Sequence, residues 1–148
     1  MAPPNQKAHE LEVRRTYRAT PEAIYQAWTS PEILTRWFAP STEYRVIVHE
    51  LEVRPGGRYR IEMVHSGGNR HTSHGVYRDL EPGRRIVFSW RWETRDTMPD
   101  TVVEIELFPH GDTTELVLRH RLFEEEADRD NHDKGWQGCL EQLAAVLV

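Results

Sequence analysis

The stretch Thr20-Pro21-Glu22-Ala23-Ile24-Tyr25-Gln26-Ala27-Trp28-Thr29-Ser30-Pro31-Glu32-Ile33-Leu34-Thr35-Arg36-Trp37-Phe38 uses one device twice, ten residues apart. A hydroxyl residue able to cap a helix is followed by proline, whose missing N–H costs nothing in a first helical turn. An acid then meets the positive end of the helix dipole. Pro31 would interrupt one continuous helix, so the pattern predicts two short helices, the second carrying Ile33, Leu34, Trp37 and Phe38 and ending at Pro40. Both would present an apolar face through Ile24, Ala27 and Trp28 and their counterparts.

The flanks of this stretch differ from it and from each other. Before it, Leu11, Val13, Arg15 and Tyr17 alternate with Glu12, Arg14 and Thr16, the period of a strand. After it, strand patterns succeed one another. They are Tyr44–Val48 with Leu51–Val53, Arg58–His65, about His71–Leu80, Ile86–Trp92, Val103–Leu107 and Leu116–His120. Pro55-Gly56-Gly57, Gly67-Gly68-Asn69, Glu81-Pro82-Gly83, a loop over 96–100 and His110-Gly111-Asp112 separate them, as in an antiparallel meander. The chain then changes period. Trp136, Leu140, Leu143 and Leu147 recur every three or four residues, with Cys139 and Val146 beside them, which predicts an amphipathic helix from about Glu125 to the end. One strand, two short helices, about six strands and one long helix make an α+β chain. Its curved antiparallel sheet would wrap around the C-terminal helix. Residues 1–8 read as a polar, proline-containing flexible tail, and 9–148 as the domain.

Composition excludes several function classes. The chain has 148 residues, 38% of them hydrophobic, which suffices for one core. Nineteen basic against 24 acidic residues leave a net charge of −5, which argues against nucleic acid or an anionic membrane as partner. No apolar run approaches a membrane span, and the first residues lack the apolar core of a secretory signal. With one cysteine, Cys139, no internal disulfide is available, and a cytoplasmic location is expected.

Five tryptophans and eight histidines are the unusual part of the composition. Trp37, Tyr59, Tyr77, Trp90, Trp92 and Trp136 come from separate elements that should face a common interior. Met63, His65 and His120 point the same way, and Leu140 and Leu143 come from the long helix. Together these eleven residues describe an aromatic pocket with few polar handles, suited to a planar or lipid-like molecule. Chemistry is harder to find. His71 and His74 fall on opposite faces of a strand, so with His65 they converge poorly as zinc ligands and read as surface residues, and no metal is expected. Cys139 lies on the apolar side of a helix, where a thiol packs without reacting. Pro55-Gly56-Gly57 joins two strands, so it is a turn and not a phosphate loop. Glu62 falls on the opposite face from Tyr59 and Met63 and should be exposed. His120 alternates with Leu116 and Leu118, as a satisfied core histidine would, or as a general base in the pocket.

The ordered set of Thr20–Thr29, Pro31-Glu32 with Arg36-Trp37-Phe38, Arg54–Tyr59 with Met63, Gly75–Leu80, Arg85–Trp90, Thr114–His120 and Gly135-Trp136 resembles the START-like, or SRPBCC, superfamily of helix-grip proteins. Within it the sequence is similar to the family named after the activator of the heat-shock chaperone ATPase. The resemblance covers about residues 9–147. It implies a helix-grip fold with a cavity between the sheet and the C-terminal helix. Because the superfamily hosts several functions, three remain open: binding of a small hydrophobic or aromatic molecule, a cofactor-free cyclase or lyase using the same cavity, and a chaperone-regulating or other interaction module. A cofactor is not expected, and a homodimer is left open.

Overall fold

The computed structural model describes residues 9–94 and 99–147. The expected tail and most of the expected 96–100 loop lie outside the described residues. The elements are β1 (His9–Tyr17), α1 (Pro21–Thr29), α2 (Pro31–Leu34), β2 (Tyr44–Leu51), β3 (Arg58–His65), β4 (Arg70–Glu81), β5 (Arg85–Trp92), β6 (Thr101–His110), β7 (Thr113–Phe123) and α3 (Glu126–Val146). The seven strands form one sheet in the order β1-β7-β6-β5-β4-β3-β2. Every neighbouring pair is antiparallel. Because β1 and β2 occupy opposite edges, α1 and α2 carry the chain across the sheet between them. The long α3 packs against β1 and β7, closing the helix grip.

The repeated capping device works as the sequence implies. Thr20 Oγ1 accepts from Ala23 N at 3.1 Å, and Ser30 Oγ from Ile33 N at 3.4 Å. The second helix is shorter than expected, ending at Leu34, although turn hydrogen bonds from Trp37 N and Phe38 N to Leu34 O prolong its course. That course buries both aromatic rings, and Trp37 Nε1 donates back to Ala27 O at 3.0 Å, tying the two helices together.

The strand pattern that breaks after Val48 belongs to one continuous strand. Its register slips between Val48 and Glu50, so the break in alternation is a bulge and not a loop. The turn signals close hairpins, and Gly68 (φ 102°) and Gly83 (φ 73°) take backbone angles that other residues adopt at a cost.

On α3 the buried residues are His132, Trp136, Cys139, Leu140 and Leu143. Tyr17 Oη donates to Leu140 O at 2.9 Å and fixes the helix to β1. The outer sheet face is polar. Arg85 joins Glu104 (2.6 Å), and Arg119 joins Glu106 (2.7 Å) and Glu12 (3.0 Å) across strands. Glu62 is on that face, as its position requires, but it is 8% exposed and not solvated. His49 from β2 (2.8 Å) and Arg70 from β4 (2.9 Å) reach over it from the two flanking strands. They hold its carboxyl below the usual range, mainly through hydrogen bonds.

Candidate functional site

A cleft of about 360 Å³ lies between the inner face of the sheet, the segment after α2 and the first half of α3. Met63 on β3 and Trp90 and Trp92 on β5 form its sheet wall, which strand alternation aims inward. Trp136, Cys139 and His132 supply the helix wall, and Phe38, Pro40 and Tyr44 the third side. His71 and Asn131, both exposed, stand in its lining as polar groups. The volume falls within the range of small-molecule pockets, and the walls are mostly aromatic.

Four of the eleven residues expected at the pocket, Met63, Trp90, Trp92 and Trp136, line this cleft together. Tyr59 and Tyr77 line a separate small void deeper in the core. Trp37, Leu140 and Leu143 are not in the cleft wall and pack in the core, each 1% exposed or less. His65 also stands outside the wall. As the last residue of β3, it sits against the Tyr44 ring at 5.0 Å, and its Nδ1 accepts from Gly67 N at 3.0 Å.

His120 is fully buried and does not reach the cleft. Trp136 Nε1 donates to its Nδ1 at 3.0 Å, so its proton sits on Nε2, 2.6 Å from Thr101 Oγ1. Thr101 in turn donates to Trp90 O at 2.9 Å, which completes a relay. Burial, with His132 nearby, holds the His120 pKa well below the ordinary histidine value, so the ring is neutral. Both nitrogens are engaged. Of the two readings the sequence left open for His120, the arrangement matches the satisfied core histidine.

A second indole–imidazole bond mirrors the first. Trp90 Nε1 donates to His132 Nε2 at 3.1 Å, and His132 Nδ1 lies 2.7 Å from Asp128 O. One bond runs from sheet to helix and the other from helix to sheet, and the His120 and His132 rings stand 5.2 Å apart. The cleft wall therefore spends two of its indole N–H groups on the protein itself. Burial also pushes the Cys139 thiol up to about 12, leaving an unreactive neutral group.

The sequence reading missed Phe38, Pro40, Tyr44, Asn131, His132, Gly135 and Cys139 as cleft residues, and it placed His71 at the surface only. His132 had a signal. It lies four residues before Trp136 and extends the same apolar stripe, but a polar residue type hid the periodicity. Among the described residues, no group of three or more His, Cys, Asp or Glu side chains could hold a metal ion. No described helix is long and apolar enough to cross a membrane.

The family model described as Activator of Hsp90 ATPase homolog 1-like protein matches residues 18–148. The chain belongs to this family. Several solved structures share the fold of this Activator of Hsp90 ATPase homolog 1-like chain. A protein from Chromobacterium violaceum is 30% identical, with a TM-score of 0.85 over 93% of this chain and 96% of that one. One from Rhizobium loti is 26% identical, with a TM-score of 0.77 over 95% and 97%. The AHSA1 protein from Silicibacter pomeroyi, at 24% identity, has a TM-score of 0.82 over 93% and 96%. No curated protein matches the chain. Its seven-stranded sheet, paired short helices and long C-terminal helix are thus those of the SRPBCC superfamily.

Proposed function

We propose that this family member binds a small, neutral, largely aromatic molecule in the cleft between the sheet and α3. The observation that carries the reading is the cleft itself: about 360 Å³ walled by Phe38, Tyr44, Met63, Trp90, Trp92 and Trp136. Two of its three indole N–H groups are already bonded to histidines, so the wall offers flat apolar faces more than hydrogen bonds. Met63 can adjust to ligand shape through its flexible thioether. Among the described residues, the cleft lining contains no Lys, Arg, Asp or Glu, which favours a neutral ligand. The buried, doubly bonded His120 favours binding over proton transfer.

Thermal denaturation with a panel of neutral bicyclic and tricyclic aromatics tests this. A ligand at a hundred times its Kd stabilises the fold by roughly 2.7 kcal/mol. At about 2–4 °C per kcal/mol, the expected rise in Tm is about 5–10 °C. A panel that leaves Tm unchanged throughout overturns the reading.

A further inference from the structure

Trp28 stands behind the cleft, on α1, with its ring centroid 6.0 Å from that of Trp136. It is 4% exposed, and its Nε1–H is the buried side-chain polar atom left without a hydrogen-bond partner among the described residues. An orphaned buried donor carries a real cost and needs a reason. The other buried indoles whose bonds are described are all matched: Trp37 to Ala27 O, Trp90 to His132 and Trp136 to His120.

Trp28 lines a small void of about 20 Å³ together with Leu34, Tyr59, Tyr77 and Phe88. Phe38 is in the wall of this void and in the wall of the main cleft, and no other described residue is common to both. Its ring packs edge-on against Trp28, with centroids 6.0 Å apart. The same ring, 3% exposed, also packs against Trp37, Trp90 and Trp136 and stands between the two spaces. Among the described residues lining the void, the other polar side chains are Tyr59 and Tyr77, and Tyr59 Oη already donates to Ser89 O at 2.6 Å. Trp28, whose Nε1–H is left without a partner, thus lines a mostly apolar recess that shares the Phe38 ring with the cleft.

We infer that Trp28 Nε1 is the recognition point for a neutral acceptor oxygen, of the ketone type, on the inner end of the cleft ligand, which reaches it past Phe38. This inference rests on the aromatic-binding reading above and names the ligand class more closely. An uncharged indole donor in an apolar recess suits a carbonyl. A carboxylate would arrive there without a counter-charge.

The test uses a matched pair, 2-acetylnaphthalene and 2-ethylnaphthalene, which differ at the carbonyl and little in shape. Calorimetric titration of the wild type should show the ketone binding about five- to tenfold more tightly, the value of one net hydrogen bond. Trp28→Phe should bind 2-ethylnaphthalene within twofold of wild type and lose the preference. In the wild type, independent of any variant's stability, one indole N–H resonance should move downfield with the ketone and stay in place with the hydrocarbon. Two hydrocarbon-like affinities in the wild type, or a preference that survives Trp28→Phe, would overturn the subsite alone. A ketone that leaves all five indole resonances unshifted does the same, because Trp28 then serves an internal water. If neither naphthalene binds, the subsite and the cleft reading fall together.

Discussion

Gly138 on α3 lies so close to Pro40 that a Cβ built on the glycine would stand 2.2 Å from the Pro40 carbonyl oxygen. The helix and the segment after α2 touch there through bare backbone. That contact sets the spacing of two of the cleft's three sides, since Pro40 and the adjacent Cys139 both line it.

One turn earlier, Gly135 also lines the cleft, and a Cβ there would meet nothing within 4 Å. The two glycines should therefore respond in opposite directions to the same substitution. Gly135→Ala should stabilise by about 1 kcal/mol, the helix-propensity gain over glycine. Gly138→Ala should destabilise by about 1–3 kcal/mol, because overpacking against backbone exceeds that gain. Urea denaturation of the two variants, with m-values compared, checks the sign of each.

Gly135 lines the cleft and has open space beside it, so a large side chain there would fill the place proposed for the ligand. Gly135→Phe should keep the wild-type Tm or raise it, and weaken 2-ethylnaphthalene binding at least tenfold. Calorimetric titration measures the second effect and thermal denaturation the first. Undiminished binding would place the ligand elsewhere.

His120 gives the fold a pH dependence whose sign follows from its depressed pKa. The buried ring stays neutral in the native state, while in the unfolded chain it takes up a proton below about pH 6.5. The unfolded state then binds more protons, so this contribution is fully retained above that pH. It falls by up to about 1.4 kcal/mol per unit as pH drops below it, levelling off only at the folded pKa. His120→Gln should flatten that acid limb relative to wild type, with the other seven histidines as common background. Chemical denaturation between pH 7.5 and 5 reads the difference in slope.

Thr101 joins that histidine to the sheet. Thr101→Val conserves shape but leaves His120 Nε2–H and Trp90 O, both now bonded to the hydroxyl, without that partner. The tautomer cannot simply reverse, because Trp136 Nε1–H already points at Nδ1. A loss of about 1–3 kcal/mol is expected, measured by urea denaturation. A neutral outcome would show that the relay is dispensable.

Much of the architecture was legible from local pattern. Thr20-Pro21-Glu22 and Ser30-Pro31-Glu32 start helices through interactions made within four residues. Alternation along Arg58–His65 gives that strand its exact bounds, because period-two burial is local to the strand. Pattern failed where a distant neighbour intervened. Glu62 occupies the outer face its position demands, yet His49 and Arg70 reach over it from the two neighbouring strands, a cross-strand side-chain contact that alternation within one strand does not encode.

The sequence by itself determined the order of elements, the inward face of each strand and the family, since capping, alternation and turn chemistry are near-neighbour effects. Only the tertiary structure decided which aromatic residues share one space. Trp37 and Trp90 are equally apolar by residue type, but one fills the core between two helices and the other walls the cleft. It also decided that His120 is locked and Trp28 unpartnered, because hydrogen-bond saturation depends on what β7, α1 and α3 bring within about 3 Å of each ring. Proximity of that kind comes from packing, which no local pattern encodes.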